Sequence, residues 1–216
     1  MESIAIIGGS GPEGKGLGLR FAMAGYPIII GSRDAARAKS TASDLLEIAP
    51  GLPIGGAGNE EAATSADWVM LSVPYEGLAA TAESLRDACR EKLVISVVAP
   101  LSFANGKAEA VSVPEGSAAE QIAEIMPESN VGSAFQNLSA TDLLKPDKIL
   151  EADVVVCADG RQDREALSAL VGSIKDLRAI DGGPLSNSRY PEEITALLVN
   201  LNKIHKGHST IKFVGI

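Results

Sequence analysis

Short apolar runs alternate with longer amphipathic stretches along the whole chain, beginning with the run at residues 4–7. Brief apolar runs bounded by turn residues are typical of buried strands, whereas apolar residues spaced three and four apart are typical of helices. The pattern predicts strands over 4–7, 27–30, 68–72, 93–98, 131–134, 154–157 and 177–180. Because helical stretches separate these strands, the chain is predicted to form an α/β fold with a parallel, Rossmann-type sheet.

Two helices are predicted from the residues at their starts. Ser117 and Glu120 have the spacing of a capping box, in which two side chains satisfy the first N–H groups of a helix. A long helix is predicted after Pro184, with Glu192 and Glu193 in its first turn, where the helix dipole favours negative charge. Its apolar stripe consists of Ile194, Leu197, Leu198, Leu201 and Ile204.

A glycine-rich loop joins the first strand to the first helix, and it reads Gly9-Ser10-Gly11-Pro12-Glu13-Gly14. The G-x-G-x-x-G spacing between a strand and a helix is typical of dinucleotide-binding folds, in which the glycines bring backbone N–H groups close to a diphosphate. Pro12 has no N–H to donate, and the Glu13 carboxylate is expected to point outward, away from phosphate. The alternative is a glycine-rich turn without a ligand.

The second predicted strand ends in Gly31-Ser32-Arg33, without the acidic residue that holds the ribose 2′-hydroxyl of NAD. A hydroxyl beside a guanidinium suits a 2′-phosphate, so the sequence favours NADP. Arg37, one helical turn further on, can join this clamp. The alternatives are that Ser32 and Asp34 cap the next helix and that Arg37 is only a surface charge.

Residues 99–116, which contain Pro100, Gly106, Pro114 and Gly116, predict a loop or lid beside the sheet. The chain as a whole is expected to divide into two parts. We expect residues 1–152 to form the NADP-binding domain. Residues 153–216 are expected to form a smaller C-terminal lobe.

Composition excludes several classes of function. The formal net charge is −9, which argues against nucleic-acid binding because the phosphate backbone requires many cationic contacts. The sequence shows neither a secretory signal nor an apolar run long enough to span a membrane, so a cytoplasmic protein is expected. Cys89 and Cys157 suit buried thiols rather than a metal site. Neither His205 nor His208 belongs to a recognisable catalytic arrangement.

The sequence resembles the F420-dependent NADP reductases, small Rossmann proteins that pass a hydride between NADPH and the deazaflavin coenzyme F420. The resemblance covers nearly the whole chain through ordered motifs rather than one signature. These motifs are Ile6-Ile7-Gly8-Gly9-Ser10-Gly11, Gly31-Ser32-Arg33, Asn59-Glu60-Glu61-Ala62-Ala63, Ser72-Val73-Pro74-Tyr75-Glu76, Gly116-Ser117-Ala118-Ala119-Glu120, Ser133-Ala134-Phe135 and Gly183-Pro184-Leu185-Ser186-Asn187-Ser188-Arg189.

The resemblance implies a set of residues for each cofactor. The loop Gly9, Ser10, Gly11, Pro12 and Glu13 would hold the diphosphate, Ser32, Arg33 and Arg37 the 2′-phosphate, and Tyr75, Ala79 and Leu101 the ribose and nicotinamide. The deazaflavin would lie near Gln136, Leu138, Arg189, Thr195 and Ser209. Family members often have histidine where this chain has Gln136, so this side chain can form hydrogen bonds but does not titrate. From the residues alone, Tyr75 could be a plain loop aromatic, and Arg189 could pair with a neighbouring carboxylate.

The expected function is direct hydride transfer between NADPH and coenzyme F420 in an oxidoreductase, with no catalytic acid or base supplied by the protein. Holding the two rings in reacting geometry would provide the catalysis. We expect small-molecule partners only and, because twofold dimers are the commonest oligomers, a homodimer. The alternatives are an NADPH-dependent reductase of a small carbonyl or imine, a flavin or a metal, and a non-catalytic NADP sensor.

Overall fold

The computed structural model describes all 216 residues. The strands are β1 (Ile4–Ile7), β2 (Ile28–Ser32), β3 (Ile54–Gly58), β4 (Trp68–Leu71), β5 (Leu93–Ser96), β6 (Leu101–Ala104), β7 (Lys107–Ala110), β8 (Asn130–Ser133), β9 (Ala152–Ala158) and β10 (Leu177–Asp181). The helices are α1 (Pro12–Met23), α2 (Ala35–Ile48), α3 (Asn59–Ser65), α4 (Leu78–Leu85), α5 (Ala118–Ile125), α6 (Ala140–Leu143), α7 (Arg161–Ser173) and α8 (Arg189–His205).

Eight of the strands form one sheet in the order β10-β9-β8-β5-β4-β1-β2-β3. All pairs are parallel except β8 with β9, so β9 and β10 run against the other six strands. The predicted strands are all present, and the Rossmann-type parallel sheet is confirmed. The carboxyl ends of β1, β2 and β4 therefore meet at one edge, where open α/β sheets bind their ligands.

The boundary predicted after residue 152 falls at the start of β9, where the sheet changes direction. Two hydrophobic clusters cover the two faces of the sheet, and Phe21 and Phe135 pack edge-to-face in the larger one. No helix of the protein combines the length and the apolar character needed to cross a membrane.

Strand β3 was missed by the apolar pattern because three of its five residues are glycines. The surroundings of Gly56 show why β3 contains glycine. A Cβ atom at Gly56 would lie 2.6 Å from the backbone nitrogen of Lys39, so helix α2 packs directly on the backbone of β3. The close packing of α2 requires glycine in β3, and glycines carry no apolar side chains from which a strand could be predicted.

The prediction of a plain loop over residues 99–116 is wrong in its centre, which forms the antiparallel hairpin β6–β7. Asn105 and Gly106 form its two-residue turn with positive φ values of 51° and 71°. Asn-Gly is the residue pair that this turn geometry favours. The hairpin rests on α8, where the Asn200 side chain exchanges two hydrogen bonds with the backbone of Ala108, at 2.9 and 2.8 Å.

The long C-terminal helix is present as predicted, but its apolar stripe is divided. Leu198 is buried, whereas Leu197 is 53 % exposed and Ile204 is 70 % exposed. The stripe therefore packs only partly on its own subunit.

Candidate functional site

An open cleft of about 760 Å³ lies at the carboxyl ends of β1, β2 and β4, and we call it the dinucleotide cleft. Short turns and helix starts following these strands supply its walls. The lining residues are Gly8, Ser10, Gly11, Ser32, Arg33, Asp34, Arg37, Asn59, Ser72, Val73, Pro74, Glu76, Gly77, Ala80, Thr81 and Ser84.

The glycine-rich loop forms the floor of the cleft because side chains would not fit there. Gly8 has a φ of +76°, in the left-handed region that favours glycine. A Cβ atom on Gly14 would lie 2.6 Å from the Cα atom of Gly9, so α1 packs directly against the turn. Gly9 is buried beneath Ile6 and Ile30, whereas Gly11 faces the cleft.

Backbone donors at the start of α1 are available to an anion. The N–H groups of Ser10, Glu13 and Gly14 donate to no group of the protein, whereas the N–H of Gly11 donates to Gly8 O at 2.9 Å. Pro12 occupies the first helical position, where a missing N–H costs nothing. The loop therefore fits the diphosphate of a dinucleotide through its backbone and the helix dipole.

The expectation that the Glu13 carboxylate points outward is wrong. Its Oε1 atom is buried and has no hydrogen-bond partner. Burial raises the pKa of Glu13 from 4.5 to about 8, so the group is a neutral carboxylic acid at pH 7. Glu13 therefore brings no negative charge to the diphosphate loop, which removes the conflict that the sequence suggested.

The end of β2 and the start of α2 place Ser32, Arg33 and Arg37 on the same side of the cleft. Asp34 also lines it, but its carboxylate accepts hydrogen bonds from Ala36 N at 2.9 Å and Arg37 N at 3.4 Å, capping α2. Ser32 Oγ accepts from the N–H of Asp34 at 3.2 Å, so capping and an anion site coexist.

The guanidinium groups of Arg33 and Arg37, unlike those of all other arginines of the chain, form no hydrogen bond or ion pair within the protein. The others each form hydrogen bonds with a carbonyl, a carboxylate or a phenol oxygen. Arg33 and Arg37 project into the cleft as two uncompensated cations. This donor set fits a 2′-phosphate and leaves the nicotinamide dinucleotide NADP as the better match.

Several lining residues were assigned no cofactor role from the sequence. Asn59 begins α3, and its buried Oδ1 atom has no partner. Glu76, Gly77, Ala80, Thr81 and Ser84 form the wall supplied by α4 and the turn before it. Spacing along α4 could have indicated the last three, since they lie on one helical face.

Tyr75 and Ala79, which were predicted for the ribose and nicotinamide, lie beside this wall rather than among the lining residues. Burial raises the pKa of Tyr75 above its usual value, with Glu115 adding to the rise. Leu101 is half-buried at the start of β6, where the hairpin leaves the sheet.

The residues predicted for the deazaflavin come together only in part. Gln136 and Thr195 meet, since the Thr195 hydroxyl donates to Gln136 O at 3.2 Å. The Gln136 amide is buried, with Nε2 donating to Ser96 O at 3.4 Å and Oε1 left without a partner. That orphaned acceptor fits a ligand that carries an N–H or O–H donor.

Leu138 and Ser209 line a separate hollow of about 170 Å³ between α6, β9 and the C-terminal segment. Arg189 borders a third hollow of about 200 Å³ beside the hairpin. Its guanidinium lies 4.7 Å from the ring centre of Tyr190 and donates to the tyrosine oxygen at 2.7 Å. Arg189 therefore has a phenol partner rather than the carboxylate that the sequence left open.

Glu192 has a structural role different from the one predicted. Its carboxylate, buried at 2 % exposure, accepts from the N–H groups of Ala118 at 2.8 Å and Ala119 at 3.1 Å. It thus stabilises the start of α5 rather than its own helix, and burial raises its pKa to about 7 against those hydrogen bonds. The predicted capping box is half formed: Ser117 Oγ accepts from Glu120 N at 3.0 Å, but the Glu120 carboxylate accepts from the Ser117 hydroxyl at 2.8 Å rather than from a backbone N–H.

The sequence of the chain is similar to those of known proteins along most of its length. Residues 3–100 match the family model described as "NADP oxidoreductase coenzyme F420-dependent". The chain is 43 % identical over 205 residues to an F420-dependent NADP reductase of Methanothermobacter thermautotrophicus, covering 92 % of this chain and 88 % of the relative. It is 38 % identical over 213 residues to one of Methanocaldococcus jannaschii, covering 96 % and 95 %.

A solved structure from Arthrobacter sp. FB24, whose name suggests an F420-dependent NADP reductase, has a similar fold with a TM-score of 0.85. The two chains are 21 % identical, and the match covers 99 % of this chain and 100 % of the other. The similarity extends through β9, β10 and α8 and is not confined to the dinucleotide half.

Proposed function

The chain belongs to the F420-dependent NADP reductase family, and we propose that it catalyses direct hydride transfer between C4 of the NADPH nicotinamide and C5 of coenzyme F420. The chain spans most of its curated relatives, so the activity is assigned to the whole protein. The observation that carries the choice of NADP is the pair of unpartnered guanidinium groups, Arg33 and Arg37, in the dinucleotide cleft.

For NADPH, we propose that the chain supplies a fixed cradle. The N–H groups of Ser10, Glu13 and Gly14 would meet the diphosphate, and Ser32, Arg33 and Arg37 would meet the 2′-phosphate. Tyr75, Ala79 and Leu101 would flank the ribose and nicotinamide at the mouth of the cleft. Because the loop is built by close backbone packing, it needs little rearrangement before binding.

For the deazaflavin, we propose a second half-site formed by Gln136, Leu138, Arg189, Thr195 and Ser209. Its support is the buried Gln136 Oε1, which lacks a donor. Thr195 of α8 donates to Gln136 O after β8, and Ser209 of the chain end donates to Leu198 O of α8, while Leu138 lines the hollow beside Ser209. These contacts would orient one face of the ligand and exclude water from it.

The reaction requires alignment more than acid–base chemistry. When both substrates are bound, the hydride passes from one ring to the other without a covalent intermediate on the protein. Glu13 has a buried Oε1 atom, and the buried Glu192 carboxylate is occupied by backbone N–H groups. Catalysis would therefore come from holding the rings in reacting geometry.

We also propose that residues 1–152 form the NADP-binding part and that residues 153–216 complete the deazaflavin half-site. A homodimer is proposed on the exposed apolar side chains of α8, Leu197 and Ile204. Light scattering after size-exclusion chromatography tests the dimer, and replacing Leu197 with Asp should shift it toward monomer. A cytoplasmic location stays a proposal that cell fractionation tests.

The decisive experiment mixes the purified protein with NADPH and oxidised coenzyme F420. We expect loss of the deazaflavin absorbance together with oxidation of NADPH in equal amounts. Turnover of NADPH with an imine or carbonyl but not with F420 would overturn the assignment. Binding of NADPH without any turnover would indicate a sensor instead of an enzyme.

A further inference from the structure

Residues 207–213, close to the end of the chain, contain no helix or strand, and we call this segment the C-terminal strap. It follows α8, which ends at Lys206 in a left-handed conformation with φ of 52°. The strap runs past α6 and the start of β9. Ser209, one of the residues proposed for the deazaflavin, lies within it.

Side chains and backbone groups tie the strap down on both sides of Ser209. On one side, His208 Nδ1 lies 2.9 Å from Asp142 Oδ1. On the other, Thr210 Oγ1 accepts from Asn137 Nδ2 at 3.3 Å, and Ile211 O accepts from Asp153 N at 2.8 Å. Ser209 itself donates its N–H and its hydroxyl to Asn202 Oδ1 of α8, the hydroxyl at 2.7 Å, and the flanking ties hold the strap on either side of it.

The anchor for His208 is itself immobilised. Leu143 of α6 packs against Gly16 of α1, where a Cβ atom would lie 2.5 Å from that of Leu143. The guanidinium of Arg20 donates to the carbonyls of Asp142 and Leu143, among others. The Asp142 side chain is only 10 % exposed, and although burial opposes ionisation, hydrogen bonds from His208 and Lys145 lower its pKa.

We propose that His208 and Asp142 form a latch that positions the C-terminal strap, and with it Ser209, for the deazaflavin. The proposal rests on the proposed function, because Ser209 is assigned to that ligand only through the family. Both latch residues and Ser209 line the hollow that also contains Leu138. None of the four belongs to the dinucleotide cleft, so the latch acts on one substrate and not on the other.

Three variants separate a positioning role from a general effect on stability. His208→Ala removes the tie. His208→Asn keeps an N–H donor at about the same distance from the backbone. His205→Ala removes an exposed histidine at the end of α8 whose side chain forms no hydrogen bond or ion pair, and it serves as the matched control.

The wild-type protein is assayed first, and absence of F420-dependent NADPH oxidation would remove the proposed function itself. If that activity is present, His208→Ala should raise KM for F420 about five-fold, which corresponds to about 1 kcal/mol, the net contribution of a typical hydrogen bond. KM for NADPH and kcat at saturating F420 should stay within about twofold, since neither depends on the strap. His208→Asn should recover most of the affinity, and His205→Ala should behave as wild type.

Trypsin provides a measurement that does not depend on activity. Release of the strap should speed cleavage after Lys206 and Lys212 in His208→Ala but not in His208→Asn. An unchanged KM for F420, an equal rise in both KM values, or unchanged cleavage would each overturn the latch.

Discussion

The two proposed half-sites are built in different ways. The dinucleotide cleft takes its anion-binding residues from the first 37 positions, in two turns that follow neighbouring strands. The deazaflavin half-site gathers its residues from the segment after β8, the first turns of α8 and the strap. One half is thus local in sequence, and the other depends on contacts between distant segments.

The two halves also differ in what their side chains contact in the protein itself. Arg33 and Arg37 have no partner, and three N–H groups of the loop are unused. In contrast, Thr195 already donates to Gln136 O, and Ser209 Oγ donates to Asn202 Oδ1 at 2.7 Å. We therefore expect substitutions in the dinucleotide cleft to weaken NADPH binding strongly and those in the second half-site to have smaller effects on F420 binding.

The largest effect is expected for Gly14→Ala. The new Cβ atom would lie 2.6 Å from the Cα of Gly9, so α1 must move away from the loop. Overpacking of this kind costs about 3 kcal/mol in the free energy of unfolding. A displaced loop should raise the NADPH Kd roughly 100-fold. Chemical denaturation and fluorescence titration measure the two effects.

Gly55→Ala is the matched control for Gly14→Ala, because nothing lies within 4 Å of the Cβ position at Gly55. It should leave the NADPH Kd unchanged. If Gly14→Ala bound NADPH as well as Gly55→Ala does, the packed loop would not be the diphosphate cradle.

Arg33→Ala should show the next largest effect. Loss of a charge-assisted hydrogen bond to phosphate costs about 2 kcal/mol, which corresponds to roughly a 30-fold rise in the NADPH Kd. The NADH Kd should change less than threefold, since NADH lacks the 2′-phosphate. Lys39→Ala, which removes an exposed positive charge of α2 outside the cleft, controls for net charge. Equal losses for NADPH and NADH would contradict the 2′-phosphate assignment.

The same contrast explains which parts of the two half-sites could be predicted from the sequence. The glycine-rich loop and Ser32, Arg33 and Arg37 could be predicted because their roles follow from neighbouring residues and strand ends. The burial of Glu13 could not, since it depends on how α1 packs in the folded protein. Nor could the partition of the deazaflavin residues among separate hollows, because segments distant in sequence set their separation. The hairpin was predictable from Asn105-Gly106, and that signal was missed.

A third test concerns Glu13, whose pKa is raised from 4.5 to about 8 by burial. Between these pH values the folded protein binds more protons than the unfolded chain, so stability from the neutral carboxyl is complete below about pH 4.5 and is lost as pH rises through 8. Relative to Glu13→Gln, the wild type should lose up to ~1.4 kcal/mol of unfolding free energy per pH unit in this range. Urea denaturation at several pH values measures the difference.

The NADPH Kd should follow the same titration. Above about pH 8 the ionised Glu13 would repel the diphosphate, so the wild-type Kd should rise while that of Glu13→Gln stays level. Parallel pH profiles for the two proteins, in both stability and Kd, would show that the Glu13 carboxyl is solvated.

The smallest effect is expected for Thr195→Val, which removes the hydroxyl that donates to Gln136 O at 3.2 Å and to Pro191 O at 2.9 Å. A neutral hydrogen bond contributes about 1 kcal/mol, and the β-branched shape is kept, so unfolding free energy should fall by about that amount. Because the bond fixes α8 against the segment that carries Gln136, KM for F420 should rise about threefold while KM for NADPH is unchanged. Thr64→Val, at an exposed position of α3, provides the control. A loss of F420 binding as large as the loss of NADPH binding in Arg33→Ala would mean that the second half-site depends on a single side chain, and the contrast between the two halves would be wrong.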